Sequence, residues 1–581
     1  MRKMNIWACL CLSLLWGFAS CESLDDSIGS DPYGGGKEPL GIKLLSEAPV
    51  PSSGVPGDTI LFHAKGLSAW CDPQAGRYDF RMFMGDEEAE IVSATDSTLQ
   101  VKVPQEVSTG LTYLVLENQV FYGPMFTIDG NISIDRNYGL FKNQSQFSGA
   151  IYDAVESKQK NQGGTFYVVG DMSYKVNGSK TLCHGIGLID RNGNITSQTN
   201  GYFECVNGSL VQSTDGTSAH PSSISLLKDN RMLVSGLFSN FYVPMTSQQN
   251  TQMGLSNYVN VNNMSLLTST ALADTVQLTF SDSYTTSGSA ATSVPLPVAS
   301  FNGGFREQVV RSFVVPTTDG GEKVIAVGNM TQYITTAWAS AYANSVEQTS
   351  EIQSVCRLNM DGSLDASYRP ASLSLAGPQG GTVSDACTDE EGGVVIVGSF
   401  TSFDGIKAQG IVRLDAAGRV DESFMANLQG GVNGSVSCIN YNTDTHAMVI
   451  AGNFTQVGNH STQYLGIIRQ DGSIDTSFSS KGFEGGQPTF ATIVSKQKTK
   501  VVASGTFSQY EGVHRKGFLI LDCDGAATQQ YNVSGTFTGE LHKVVETETS
   551  LGDYGLLLLG DFNMFNNETV NNAVMLQADF R

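Results

Sequence analysis

Gly398-Ser399-Phe400, then Gly405, then Arg413-Leu414-Asp415, then Asp421-Glu422-Ser423-Phe424 form a line of sequence that the chain repeats. The copies align as Gly452-Asn453-Phe454 with Ile468-Arg469-Gln470-Asp471 and Asp475-Thr476-Ser477-Phe478, as Gly505-Thr506-Phe507 with Leu521-Asp522, and as Gly560-Asp561-Phe562 with Met575-Leu576. Their leading glycines stand 54, 53 and 55 residues apart. A fixed period of that length marks stacked structural repeats. With insertions allowed, the line runs backward through Gly328-Asn329-Met330 with Arg357-Leu358-Asn359, through Gly236-Leu237-Phe238 and through Gly170-Asp171-Met172, which makes seven units.

Each unit reads as four short strands; in the fifth they are Ser435 to Tyr441, Ala447 to Phe454, Tyr464 to Arg469 and Ser473 to Phe478. The glycine that ends the second strand suits a bulge or a close backbone approach, and Asp471-Gly472 suits a tight hairpin. A four-stranded antiparallel unit buries one face on each neighbour, so seven in a ring give a β-propeller. The last unit stops at Gln577-Ala578-Asp579-Phe580 with no room for a fourth strand, while Ser133-Ile134-Asp135-Arg136-Asn137-Tyr138 repeats the pattern of Ser473 to Phe478. The segment 131–138 is therefore expected to close the last blade. The repeat line also resembles the delta-60 repeat of bacterial surface and secreted proteins, most clearly over Arg357 to Tyr368, Arg413 to Phe424 and Arg469 to Phe478.

Around this array, 581 residues allow a second domain, and Gly, Ser, Thr and Asn between short β-branched runs favour strands and turns. A net charge of −22 with no basic stripe speaks against nucleic acid. Residues 39–129 read as a small β-sandwich with strands about every ten residues. Gly57-Asp58, Phe83 with Gly85, Asp96-Ser97-Thr98 leading into Val101-Lys102-Val103-Pro104, and Gly123-Pro124-Met125-Phe126 resemble the immunoglobulin-like TIG domain. The expected architecture is all-β: an immunoglobulin-like sandwich followed by a seven-bladed propeller over 130–581.

Arg2-Lys3, the apolar run Ile6 to Phe18 and Ala19-Ser20 before Cys21 have the layout of an export signal. They resemble a bacterial lipoprotein signal over residues 1–20, which implies lipid attachment at Cys21. Residues 21–38, with Glu22, Asp25, Asp26 and a Gly-rich stretch, read as a flexible tether. The acidic residues resemble the tag that sends lipoproteins of glycan-utilising gut bacteria to the outer face of the outer membrane. Seven cysteines follow the signal at irregular spacing, which is no disulfide framework; Cys183 and Cys205 are the candidate bridge and Cys387 and Cys438 candidate buried thiols.

The sequence offers no catalytic signature. The seven histidines stand at no metal-ligand spacing, and there is no nucleophile elbow, phosphate loop or dinucleotide fingerprint. Asp361-Gly362, Asp471-Gly472 and Asp524-Gly525 read as hairpin turns rather than calcium loops, Asp365, Asp421 and Asp475 as turn caps or partners of the preceding strand's Arg, and no cofactor or metal is expected. Two insertions carry more information. Unit two spends Phe241 to Ser300, and unit three Thr331 to Glu351, between their second and third strands, on the propeller face where ligands meet the channel. They hold Tyr242 and the candidate ligand-binding residues Tyr258, Tyr284, Tyr333, Trp338 and Tyr342, with very few Lys or Arg residues. Aromatic rings among amides and hydroxyls suit the faces of neutral sugars. The expected function is non-enzymatic binding of a neutral glycan at the cell surface. The alternatives are docking onto an outer-membrane or surface protein, and a propeller hydrolase or lyase with a carboxylate pair in the channel mouth.

Overall fold

The computed structural model describes residues 40–142, 147–159, 163–174, 183–195, 210–211, 219–254, 257–281 and 293–581. Cys21 and the tether, Tyr284, the Cys183 side chain and Cys205 lie outside the described residues.

The chain is all-β. Its N-terminal part pairs Thr59–Lys65 with Thr98–Lys102, which pairs in turn with Glu87–Ala94. A bulge between Ile91 and Ser93 bends that strand, whose first half pairs with Arg81–Met84, and this leads on to Gly110–Leu116 and Gln119–Ile128. Ile60, Phe62, Leu99 and Val101 face Met82, Leu114, Leu116 and Phe126 across one core, so the sheet closes on itself as two layers.

Beyond residue 147 the same meander recurs. The three-strand cores are 220–226/232–237/264–267, 309–316/322–328/355–358, 383–388/394–398/411–414, 435–442/447–453/465–469 and 488–494/500–505/518–521, preceded by 153–156/166–174/183–189. In each the middle strand pairs with both others. Each middle strand has a buried apolar run, continuous in Val394–Gly398, because neighbouring sheets cover both of its faces. The last sheet orders Ile132–Ile134, Ala573–Ala578, Tyr554–Phe565 and Thr538–Glu548. Ile132 lies opposite Ala578, Ser133 opposite Gln577 and Ile134 opposite Leu576.

The repeated glycine has a steric cause. The inner strand bulges between Val383 and Asp385, and again at the matching places in other units, between Val309 and Arg311, Val436 and Cys438, and Pro488 and Phe490. The bulge presses a carbonyl onto the partner strand: a Cβ at Gly398, Gly452, Gly505 or Gly560 would overlap the oxygen of Thr382, Ser435, Gln487 or Glu540.

In the units before the last, the fourth strand differs from expectation. Ser473 to Phe478 contributes a single bridge, Ile468 to Ile474, and then turns away. The reason is Asp475, whose carboxylate accepts from the Ser477 amide (3.0 Å) and hydroxyl (2.6 Å) and so fixes a turn where a strand would continue. Asp365 does the same to Ser367, and Asp421 caps the short helix Glu422–Asn427. Asp135 repeats the arrangement, its amide donating to the Met575 carbonyl (2.8 Å) as that of Asp475 does to Ile467 (2.9 Å). Arg357, Arg413 and Arg469 pair with Asp365, Asp421 and Asp475, so the repeated arginine anchors this turn.

Candidate functional site

Short ladders join the residues before an inner strand to those after the second strand: Gly304–Phe305 to Gln332–Ala337, Pro378–Gln379 to Ser402–Phe403, and Phe483–Glu484 to Gln509–Tyr510. Both segments therefore lie at one end of the array, which we call the upper end. Two structures stand on it.

The first grows from units two and three. After the second strand of unit two come Asn240–Tyr242, the helix Ser247–Met253 and Tyr258–Asn260. The helix starts at a capping box between Thr246 and Gln249 and ends at Gly254 with φ of 66°. The rest of the long insertion lies elsewhere than expected: the hairpin Thr275–Ser281/Ser293–Ala299 follows the third strand, after the Leu267–Ala273 bridge that stands for the fourth. It leans back over the insertion of unit three, with Ser281 N–H donating to the Ser340 carbonyl (2.7 Å), and over the helix of unit two, whose Gln249 Nε2 donates to the Pro295 carbonyl (2.9 Å). Phe241, Met253, Val259, Phe280 and Leu296 form the buried centre of this layer.

The candidate aromatics divide between core and surface. Tyr333 is 1% exposed and its hydroxyl donates to the Gly362 carbonyl, so it is a core residue and not part of a binding surface. Its place in a short ladder, with its ring against Phe305, put it beyond reach. Trp338 and Tyr342 stack on one another, with centroids 6.0 Å apart and planes 25° apart, and both meet Phe280 edge-on while half-buried. Tyr242 and Tyr258 form a second, perpendicular pair at 5.7 Å. No Lys or Arg occurs between Arg231 and Arg306 or between Lys323 and Arg357, so both pairs sit in a layer poor in cations, where Arg306 pairs with Glu347.

The second structure on the upper end is the N-terminal sandwich, docked over units six and seven. Arg515 is its bolt: Nη1 donates to Ser108 Oγ (2.8 Å) and Nη2 to Glu106 (2.9 Å), while Lys516 reaches Asp86 (2.5 Å) and Asn567 Nδ2 donates to the Thr109 carbonyl (2.9 Å). The Thr109 amide donates to the Val533 carbonyl (2.9 Å). Sequence spacing carried no sign of this seam, because its partners lie more than 400 residues apart.

Between the two, at the level of the inner-strand bulges, equivalent positions hold Asp153, Ser223, Arg311, Asp385, Cys438, Phe490 and Lys543. Arg311 Nε binds Asp385 Oδ1 (2.8 Å) and its Nη1 lies 4.0 Å from Asp153, which Lys543 also contacts (2.9 Å). Asp153 and Asp385 each accept the backbone N–H of the next unit, from Ile224 and Ile439 (both 3.1 Å). The inner strands share no ladder with one another, so these side chains stitch adjacent units together. Both carboxylates are thereby committed to cations and amides, which leaves neither as a free acid or base. Burial pulls the Asp153 carboxyl upward, yet Lys543 and Arg311 outweigh it and hold it below its usual range.

His542 sits beside this network, its ring 5.0 Å from that of Tyr152. Burial, then Arg311, push its imidazole down to about 4, against the opposing pull of Asp561 and Asp385. Because the unfolded chain takes up this proton near pH 6.5 and the folded chain does not, stability is full above that pH. It falls as pH drops from about 6.5 to about 4, by up to roughly 3 kcal/mol. Thermal melts at pH 7.5 and 5 check this: His542→Gln flattens the difference, whereas an unchanged pH profile in that variant contradicts the assignment.

Cys356, Cys387 and Cys438 are buried free thiols, Cys71 is half-buried and Cys523 exposed. Burial raises the Cys438 thiol to about 12, so it is an inert packing group. Gly362, Gly472 and Gly525 have φ of 87°, 87° and 93°, and Asp361, Asp471 and Asp524 cap their own turns, as the Asp-Gly hairpin reading requires. Among the described residues no cluster of three or more His, Cys, Asp or Glu side chains is arranged to hold a metal ion, and no helix is long and apolar enough to cross a membrane.

Residues 18–124 match the family described as a domain of unknown function, DUF5008, residues 128–227 match DUF5124, and residues 392–424 match the DUF5122 β-propeller. No curated protein matches the chain in sequence. Among solved structures it is similar to an auxiliary nutrient binding protein from Bacteroides thetaiotaomicron VPI-5482, at 12% identity and a TM-score of 0.31 over 92% of this chain and 98% of that one. It is also similar to one from Bacteroides ovatus ATCC 8483, at 11% and 0.17 over 71% and 95%. The Myceliophteria thermophila Cps50 (Swd1) β-propeller domain matches at 9% and 0.32 over 74% and 97%. At such scores these likenesses carry no functional argument.

Proposed function

We propose that the protein is a non-enzymatic, lipid-anchored lipoprotein of the outer membrane, held through Cys21 and facing the cell exterior. In this reading a seven-bladed ring, closed by residues 131–138 and carrying an immunoglobulin-like sandwich, binds a neutral glycan at its upper end. The observation that carries it is the cation-poor layer on units two and three, which sets the Trp338–Tyr342 and Tyr242–Tyr258 ring pairs among amides and hydroxyls. Aromatic faces take the C–H side of a sugar ring while polar neighbours take its hydroxyls. The commitment of Asp153 and Asp385 to ion pairs supports binding over hydrolysis at the ring centre.

Affinity electrophoresis through galactomannan, xyloglucan, mixed-linkage β-glucan, glycogen and arabinoxylan tests the reading. At least one polysaccharide is expected to retard the protein, and Trp338→Ala or Tyr258→Ala is expected to weaken that retardation about tenfold, the loss of one ring contact. Migration unaffected by every polysaccharide contradicts it.

A second reading has its own observation. Val346–Glu351 is exposed at all six positions and pairs only with Gln332–Ala337, so its outer edge is an open template for a strand from another protein. Recovery from membranes of a stable protein partner that is lost on Gln348→Pro, without any polysaccharide binding, favours docking over glycan capture.

A further inference from the structure

The solvent face of the sandwich breaks the rule that outward residues on a half-buried sheet are polar. On the paired strands Gly110–Leu116 and Gln119–Ile128, Leu111 is 48%, Val120 46% and Tyr122 67% exposed. Singly exposed apolar groups need no explanation, but a contiguous apolar face on one sheet marks a contact surface. Here the face is organised. Arg81 lies over the Phe83 ring (5.2 Å), Phe83 stacks on Tyr113 (5.0 Å, 10°), and Tyr122 stands edge-on to Tyr113 (6.0 Å, 61°). Tyr113 and Tyr122 thus form a corner of two rings.

That corner is one wall of a cleft of about 400 Å³ in the seam between sandwich and propeller, within the size range of small-ligand sites. The other wall comes from units six and seven through Lys516, Gly535, Thr536 and Asn567. At its edge the Lys516 ammonium and the Asp86 carboxylate form an ion pair (2.5 Å), and Asp86 also accepts from the Tyr113 hydroxyl (3.3 Å). A donor and an acceptor side by side, with charges that cancel, match two neighbouring hydroxyls of a sugar and offer no net attraction to an ion. A flat apolar partner would leave that pair unmet.

We infer that this seam cleft is a second saccharide site, in which Tyr122 and Tyr113 take the apolar face of a neutral sugar unit and Lys516 and Asp86 take its hydroxyls. The site exists only where the two domains meet, so the sandwich is part of the binding apparatus and not only a spacer. The inference shares with the proposed function its class of ligand, but not its location.

The test is the polysaccharide panel above, applied to the full chain and to Tyr122→Ala, Tyr122→Phe and Trp338→Ala, with thermal melts as a control. Tyr122 is largely exposed, so its removal leaves folding intact. The expected result is that Tyr122→Ala binds about tenfold more weakly to at least one polysaccharide that retards the unaltered chain, Tyr122→Phe keeps most of the affinity, and Trp338→Ala loses affinity independently. Binding by Tyr122→Ala equal to that of the unaltered chain overturns the second site. If Trp338→Ala alone loses binding, the upper-end reading stands and this inference falls; if the unaltered chain binds nothing, both fall.

Discussion

Ile132→Asp is expected to cost about 4 kcal/mol or more, enough to turn a cooperative thermal transition into early, multistep unfolding. Ile132 is buried beside Leu576, Ala578 and Phe580, where an unpaired carboxylate finds no partner. The loss reaches beyond one side chain, because Ile132–Ile134 covers the outer edge of the final C-terminal strand. Losing it exposes an apolar edge strand, which is an aggregation template. The reverse change is equally informative. Ser133 and Gln577 are opposite one another and exposed, so Ser133→Cys with Gln577→Cys is expected to form a cross-link and raise the melting temperature by the equivalent of about 2–4 kcal/mol. A reduced double variant that shows no cross-link after oxidation contradicts the pairing.

Arg311→Ala is expected to destabilise the chain by about 3–5 kcal/mol, the range for removing one partner of a buried ion pair. It strands Asp385 and weakens the field on Asp153, leaving buried carboxylates with their backbone donors and, for Asp153, Lys543. The cost also has a pH signature. The Asp153 carboxyl is held below its usual value near 3.8, so its contribution is complete above that pH and is lost as pH falls through the lowered folded-state value. Arg311→Ala removes part of that depression, so its acid unfolding begins at higher pH than in the unaltered chain. Urea melts at pH 7 and an acid titration of tryptophan fluorescence measure both effects. Equal stability of the variant at pH 7 contradicts a structural role for the network.

The array was legible because its cause is local and repeated. Gly398 and its counterparts recur because a carbonyl of the inner strand approaches too closely for any Cβ, and that constraint is written once per unit. The turn after the third strand was legible for the same reason, through Asp365, Asp421 and Asp475 as turn caps or partners of the preceding arginine, although the strand expected over Ser473 to Phe478 is ended by the hydrogen bonds of Asp475. The pattern shared by Ser133–Tyr138 and Ser473–Phe478 pointed to where the chain meets itself, since the same Asp amide contact occurs in both.

The site was less legible because long-range packing decides it. Composition gave the aromatic content of the insertions, yet it could not separate Tyr333, which is sealed in the core, from Trp338 and Tyr342, which rest against Phe280 on the hairpin. The hairpin follows the third strand and not the second, a difference hidden because Ser/Thr-rich sequence carries little register information. The inner-strand network leaves no sequence signal: Asp153, Arg311, Asp385 and Lys543 occupy equivalent positions, but the residue type changes from unit to unit, so no recurring residue marks them. The seam cleft left a fainter trace, namely Leu111, Tyr113, Val120 and Tyr122 alternating on the solvent side of paired strands.

Hydrogen exchange with and without the polysaccharide that most strongly retards the protein addresses glycan capture at the upper end most directly. Slowed exchange over 240–260 and 332–346, with none over the turns 389–393 and 443–446 at the opposite end, is expected. Protection confined to the opposite end, or no change in the upper layer while the polysaccharide is bound, would contradict it.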